Sequence, residues 1–189
     1  MSYTVDLTQL LYKSLTVLYP KHTIGKMTCV EIGSFEGKGS ILIQSLLCSN
    51  AESKLYCIDP FDDEYVKGDA KMAFWDFACK GQKHRFYSNT ATYPKIVPLQ
   101  GTSDDMIRQL ENDSVDFVYI DGDHSPEQVY KDACNMFPKM KKDGIMLFDD
   151  YMFTTNGIIT KHGIDKFLNE YDGKYTKLIN DYQLAIQLI

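Results

Sequence analysis

Short apolar runs alternate with longer segments of helical composition along most of this chain, and that alternation limits the folds open to it. The runs are MTCVEI (27–32), LYCIDP (55–60), KIVPLQ (95–100), VDFVYI (115–120) and GIMLFD (144–149). Strands that alternate with helices form a parallel sheet covered by helices on both faces. The sequence therefore predicts an α/β fold with a Rossmann-like, doubly wound and mostly parallel sheet.

The end of the chain departs from this alternation. KYTKLIN and YQLAIQLI are separated by a short turn near Asp181, and no helix fits between them. We therefore expect a C-terminal antiparallel hairpin that brings the sheet to seven strands. Without a repeat or a linker-like stretch, residues 1–189 are predicted to form one domain. Helices are predicted at 6–18, 38–48, 66–80, 103–111, 125–137 and 157–171.

Composition excludes several classes of partner. A net charge of −6 disfavours nucleic acid, which is bound through a basic surface. No apolar run approaches the roughly 20 residues that a membrane helix needs, and no signal peptide is recognisable, so we expect a cytoplasmic protein without a membrane partner. The five cysteines lack C-x-x-C spacing and are predicted to be reduced and mostly buried.

A glycine-rich turn follows the first predicted strand. In EIGSFEGKGS, Glu31 is at the strand end, and Gly33, Gly37 and Gly39 lie before a helix. Glycines permit a tight turn and a close approach of a ligand to the backbone, although such turns are also made for structural reasons alone. Because the spacing is not G-x-G-x-x-G, a dinucleotide site is disfavoured.

The next two strand ends carry one candidate residue each. Asp59 stands where doubly wound nucleotide-binding folds place an acid for ribose hydroxyls, or else it starts a turn before Pro60. Ser103 either caps the helix that follows it or hydrogen-bonds an adenine edge. Both positions are expected at the rim of the same cleft.

Three carboxylates are predicted to converge at the ends of the fourth and fifth strands. Asp121 follows one strand in VYIDGDHS, and Asp149 and Asp150 follow the other in MLFDDY. Any one of these acids could form a turn or cap a helix, but the three together favour a hard divalent cation, Mg²⁺ first and Ca²⁺ or Mn²⁺ next. Asp123 and His124 follow directly and are candidates for a general base.

These motifs together resemble the class I S-adenosylmethionine-dependent methyltransferases, and more narrowly a group related to sugar and macrolide O-methyltransferases and to catechol O-methyltransferase. The similarity covers roughly residues 27–171. It implies that Asp123 is the base, with His124 as its neighbour or alternative. It implies a metal site at Asp121, Asp149 and Asp150. Implied cofactor contacts are Glu31, Gly33, Ser34, Gly39, Asp59, Ser103 and Asp121.

The expected activity is metal-assisted methylation of a hydroxyl of a sugar, a glycan or a similar small acceptor. Two alternatives remain: a catechol-type O-methyltransferase, which needs an aromatic acceptor pocket, and a catalytically silent cofactor-binding subunit. A homo-oligomer is possible. Residues 81–94 have no assigned role and could form a substrate lid or an oligomer contact.

Overall fold

The protein folds around a single seven-stranded sheet in a computed structural model that describes residues 7–20, 25–61, 80–155 and 158–189. Its strands are β1 (Thr28–Ile32), β2 (Lys54–Asp59), β3 (Ile96–Gln100), β4 (Val115–Ile120), β5 (Met140–Phe148), β8 (Tyr175–Asn180) and β9 (Leu184–Leu188). Two short strands, β6 (Thr154–Thr155) and β7 (Ile158–Ile159), pair separately.

Strand order in the sheet is β3-β2-β1-β4-β5-β9-β8, and the first five strands run parallel. The terminal strands are antiparallel, as the sequence predicted, and β9 lies beside β5. The strand order reverses between β1 and β4, which are hydrogen-bonded neighbours: β2 and β3 lie on one side of this pair, and β5 lies on the other. In doubly wound sheets, ligands bind at the carboxyl ends of the strands at such a switch point.

Both faces of the sheet are buried because side chains alternate along each strand. In β4, Phe117 points into one core cluster, and Val118 points into the other. Helices α1 (Leu7–Leu18), α2 (Lys38–Leu47) and α3 (Gln82–Thr90) contribute to the Phe117 side, and α5 (Pro126–Met136) and α6 (Lys161–Glu170) contribute to the other. The mostly parallel, doubly wound prediction is confirmed.

Helix positions differ from the prediction in detail. The predicted helix 103–111 is a short α4 (Ser103–Met106) followed by a 3₁₀ turn, Ile107–Gln109, and another 3₁₀ turn, Phe137–Lys139, follows α5. The predicted helix 157–171 begins at Lys161, because the residues before it pair as β7. Most of the predicted helix 66–80 lies outside the described residues.

Three cysteines, Cys29, Cys48 and Cys57, are free and buried, as predicted, and Cys134 is free and partly buried. Cys79 lies outside the described residues. None of the described helices is both long and apolar enough to span a bilayer.

Candidate active site

The glycine-rich turn passes directly over the switch point between β1 and β4. Gly33 has a left-handed φ of 85°, and a Cβ there would collide with the backbone of Asp121. Gly33 donates its N–H to the carbonyl of Ile58, and Asp121 donates its N–H to the carbonyl of Ile32. The loops after these two strands are therefore in contact, and only glycine fits at position 33.

Glu31 lies inside β1, and its side chain is buried beneath this turn. Its carboxylate accepts a hydrogen bond from the hydroxyl of Ser40 at the start of α2. A Cβ at Gly39 would collide with the same carboxylate, so the helix can approach only because residue 39 is glycine. Burial raises the pKa of Glu31 to about 7, although the hydrogen bond from Ser40 opposes the shift. A cationic ligand group would favour its ionised form.

Asp59, at the end of β2, connects three segments through its buried carboxylate. Oδ2 accepts hydrogen bonds from the backbone N–H groups of Ser34 and Phe35, at 3.0 and 2.9 Å. Oδ1 accepts from the N–H of Phe61 at 2.8 Å and from the side-chain amide of Gln82 at 3.1 Å. A carboxylate offers about four acceptor positions, so protein donors occupy this one fully. Asp59 thus organises the glycine-rich turn.

Helix α3 brings Gln82 to Asp59 and lies in the segment 81–94, which had no role assigned from the sequence. Phe86 of this helix is buried, and Arg85 pairs with Glu36 of the glycine-rich turn at 2.6 Å. A Cβ at Gly37 would collide with the side chain of Thr90. The helix therefore packs against the turn and supports it.

Ser103 is the first residue of α4, but the N-cap of that helix is the preceding residue, Thr102. The hydroxyl of Thr102 accepts the N–H of Asp105, so the capping role considered for Ser103 was wrong by one position. The hydroxyl of Ser103 instead accepts a hydrogen bond from the amide of Gln128, which also donates to the buried Asp132. Burial raises the pKa of Asp132 to about 6.

The three predicted acids do meet at the carboxyl edge of β4 and β5, which are neighbours in the sheet. Asp121, Asp149 and Asp150 line one pocket, together with Asp123, His124 and Thr160. Burial, followed by the charges of Asp149 and Asp150, raises the pKa of Asp121 well above its ordinary range. Burial and the charge of Asp150 also raise the pKa of Asp149 to about 6. The acids repel one another, so the pocket favours a positive ligand.

Asp149 and Asp150 differ in their surroundings. Oδ1 of Asp149 accepts a hydrogen bond from the amide of Gln183, whereas its buried Oδ2 has no hydrogen-bond partner among the described residues. Asp150 adopts a left-handed φ of 50° and contacts His124, whose Nε2 lies 2.6 Å from Oδ2 of the aspartate. The hydroxyl of Tyr182 donates to its Oδ1 at 2.5 Å.

Asp123 and His124 face different surroundings in the loop after β4. Asp123 is exposed, and its Oδ1 accepts the N–H of Ser125, the N-cap of α5, at 2.7 Å. His124 is half-buried and turned towards Asp150. Burial opposes the charged imidazole, but the hydrogen bond to Asp150 and the charge of that residue outweigh it and raise the pKa of His124.

Tyr182 and Gln183 were not identified from the sequence, because they belong to the turn of the C-terminal hairpin. Gln183 is buried and also accepts a hydrogen bond from Ser14 of α1, at 2.6 Å. The sequence predicted the hairpin but not its place beside β5, so nothing in the sequence marked these two residues.

Comparison with known proteins decides the family. Residues 30–151 match the family described as a methyltransferase domain. The chain belongs to the methyltransferase family. A similar curated protein is protein R132 of Acanthamoeba polyphaga mimivirus, 32% identical over 126 residues that make up 66% of this chain and 52% of that protein. The aligned part of the methyltransferase thus spans about half the length of this relative.

Solved O-methyltransferase structures share the fold of this methyltransferase. NovP superposes with a TM-score of 0.70 at 20% identity, covering 96% of this chain and 79% of that one. A Bacillus cereus enzyme in complex with SAH gives 0.63 at 12%, covering 98% and 82%. TomG of Streptomyces achromogenes, in complex with SAM, gives 0.61 at 14%, covering 97% and 79%. The class I S-adenosylmethionine-dependent methyltransferase predicted from the sequence is confirmed.

Proposed function

We propose that this methyltransferase transfers the methyl group of S-adenosylmethionine to a hydroxyl of a sugar, a glycan or a similar small acceptor, with the help of a divalent cation. The observation that carries the proposal is the convergence of Asp121, Asp149 and Asp150 beside the glycine-rich turn. A cation held by these acids would lie next to the candidate cofactor site and would offset the negative charge that forms when an acceptor hydroxyl is deprotonated.

Residues around the glycine-rich turn fit the cofactor. Gly33 and Gly39 let this turn and the start of α2 pack directly on the backbone of Asp121 and on the carboxylate of Glu31. Glu31 is a buried acid that gains from a cationic partner such as an amino group. When bound, S-adenosylmethionine supplies a methyl group already activated by its sulfonium. Of the cofactor contacts predicted from the sequence, the candidates are Glu31, Gly33, Ser34, Gly39, Ser103 and Asp121. The carboxylate of Asp59 already accepts four protein hydrogen bonds, so its proposed part is to organise the turn.

Residues at the β4 and β5 ends fit a cation. The buried Oδ2 of Asp149 lacks a protein partner among the described residues, and burial together with mutual repulsion raises the pKa values of Asp121 and Asp149. Oxygen ligands of this kind suit Mg²⁺, with Mn²⁺ and Ca²⁺ as alternatives. At this site the pKa of an acceptor hydroxyl in contact with the cation would be lowered. Asp121, Asp149 and Asp150 would hold it.

Asp123 is the base that we propose for the acceptor hydroxyl. It lines the pocket of the three acids, and its exposed carboxylate has Oδ2 outside the hydrogen bond to Ser125. His124 is the alternative base, but its Nε2 already contacts Asp150. Asp123 is therefore better placed to receive a proton from an acceptor that enters from solvent.

A catechol-type acceptor is the second candidate, and one contact favours it. The ring of Phe153 lies 4.9 Å, centroid to centroid, from the ring of His124, which lines the pocket of the three acids. An aromatic wall of this kind can stack on a planar acceptor, although sugars also pack against aromatic rings.

Transfer of radiolabelled methyl from S-adenosylmethionine to panels of glycans, free sugars and catechols tests the proposal. We expect labelling of a hydroxylated acceptor that is lost in EDTA and restored by Mg²⁺ or Mn²⁺. Labelling of sugars rather than catechols supports the first acceptor class. Full transfer in EDTA would remove the cation from the mechanism. Labelling confined to nitrogen or carbon acceptors would contradict O-methylation.

A further inference from the structure

We propose that His124 is a ligand of the divalent cation and makes the site prefer Mn²⁺ and similar transition ions over Mg²⁺ and Ca²⁺. The inference rests on the cation site of the proposed function. It deepens that function, because the three acids alone offer only oxygen ligands and predict Mg²⁺ first.

The geometry of possible ligand atoms carries the inference. A carboxylate oxygen of Asp121, an imidazole nitrogen of His124 and a carboxylate oxygen of Asp150 all lie within 4.8 Å of one another. Asp149 is not in this set. Two ligands of one first-row metal ion stand roughly 3 Å apart when each lies about 2.1 Å from it, so small movements suffice for these three atoms to share an ion.

The orientation of the imidazole is fixed by contacts on the rest of the loop. The ring of His124 packs against Phe153, and its backbone carbonyl accepts the hydroxyl of Thr160 at 3.0 Å. The hydrogen bond from the N–H of Ser125 to Asp123 holds the preceding turn. The loop and the ring of His124 are therefore held in place, and Nε2 of the imidazole points towards Asp150.

A second observation points to a ligand in the same place. Oδ2 of Asp149 is buried, on a residue only 3% exposed, and no described residue donates to it. Asp149 lines the pocket that also contains Asp121, His124 and Asp150. A buried carboxylate oxygen without a donor is costly, and a cation or its bound water would satisfy it. The pocket is thus incomplete without a positive or donor group.

Ligand type then sets the preference among ions. Carboxylate and water ligands suit Mg²⁺ and Ca²⁺, which are bound almost entirely through oxygen. An imidazole nitrogen adds affinity for first-row transition ions. One histidine among carboxylates should therefore raise the affinity for Mn²⁺ and Co²⁺ relative to Mg²⁺.

Pulsed EPR of the protein with Mn²⁺ alone tests the inference without an acceptor. We expect ¹⁴N modulation from a coordinated imidazole in the wild-type protein. It should disappear in His124→Asn, which exchanges the nitrogen for an amide oxygen, and persist in His84→Asn, which changes an exposed histidine of α3. Calorimetry should show the ratio of Mn²⁺ to Mg²⁺ affinity falling about tenfold or more in His124→Asn only.

The outcomes separate this inference from the proposed function. Mn²⁺ binding that is lost in Asp121→Asn but shows no ¹⁴N modulation in the wild type overturns the role of His124 and leaves the carboxylate site standing. Absence of Mn²⁺ binding at millimolar concentration overturns both the role of His124 and the cation in the proposed function.

Discussion

Tyr182 donates its hydroxyl to Oδ1 of Asp150 across 2.5 Å, from the turn of the C-terminal hairpin into the edge where β4 and β5 end. The other oxygen of Asp150 faces His124. Tyr182 and His124 thus orient the carboxylate of Asp150 from two sides. Carboxylates that bind metal ions are commonly oriented by such neighbouring hydrogen bonds.

Removal of that hydroxyl should weaken the site. We expect Tyr182→Phe to lower Mn²⁺ affinity roughly tenfold or more, the scale found when a group that orients a metal ligand is lost. Calorimetry measures the affinity. The matched control is Tyr12→Phe on α1, which removes the hydroxyl of a tyrosine that is 52% exposed. Equal affinities in Tyr182→Phe and the wild type would show that the hydrogen bond does not serve the cation.

The proposed base can be separated from cofactor binding. Asp123→Asn should lower kcat by about 10²-fold or more and leave the affinity for S-adenosylhomocysteine nearly unchanged, because the residue lies outside the glycine-rich turn. Initial rates and calorimetry give the two quantities. If Asp123→Asn keeps most of its activity while cation binding is intact, the proton is taken by another group, and His124→Ala becomes the variant to compare.

Asp59 should stabilise the folded protein even when no ligand is bound. In Asp59→Asn one acceptor oxygen becomes an amide donor that faces N–H groups of Ser34 and Phe35 or of Phe61. Each buried donor left unpaired costs about 1–3 kcal/mol, so we expect the free energy of unfolding to fall by about 2–4 kcal/mol. Urea denaturation of the ligand-free protein measures it.

The control for Asp59→Asn is Asp172→Asn, which changes an exposed aspartate after α6. Cofactor affinity should fall together with stability, because the turn that Asp59 organises is the candidate cofactor site. Unchanged stability with lost cofactor affinity would instead favour the direct ribose contact that the sequence suggested.

Asp132 should give the unfolding free energy a specific pH dependence. Its pKa in the folded protein is about 6, above the ordinary value of 3.8, mainly because of burial. A raised folded pKa stabilises the protein below the unfolded pKa, and that contribution is lost as pH rises through about 6. The free energy of unfolding of Asp132→Asn should therefore rise relative to that of the wild type as pH increases from about 4 to 6. The difference should approach about 3 kcal/mol at pH 8.

Denaturation curves of the wild type and Asp132→Asn at pH 4.5 and 8 measure this difference. Asp172→Asn again serves as the exposed control and should lack the gain between these pH values. A difference between Asp132→Asn and the wild type that shrinks as pH rises would mean that Asp132 is stabilised in its charged form, contrary to its burial.

Much of the fold could be predicted because its signals are local. Alternating apolar runs and helical segments identified β1 to β5, and the absence of room for a helix identified the C-terminal hairpin. Convergence of Asp121, Asp149 and Asp150 followed from the rule that parallel strands end at one edge. Failures were also local: Thr102 rather than Ser103 caps α4, and β7 occupies the predicted start of α6.

What the sequence could not provide were contacts made across the chain. The link from Asp59 to Gln82 joins residues 23 positions apart, and the link from Ser14 to Gln183 joins residues 169 positions apart. Nothing in the local pattern marks Tyr182 as a partner of Asp150. The side-chain direction of His124, which turns it from a base candidate into a candidate ligand, likewise depends on packing against Phe153.

The most direct test of a cation held beside the cofactor is a crystal structure grown with S-adenosylhomocysteine and Mn²⁺, with anomalous differences measured for manganese. We expect the cofactor product over Gly33 and Glu31, and one anomalous peak about 2.2 Å from carboxylate oxygens at the ends of β4 and β5. Product bound in that turn with no anomalous peak among Asp121, Asp149 and Asp150 would contradict the account.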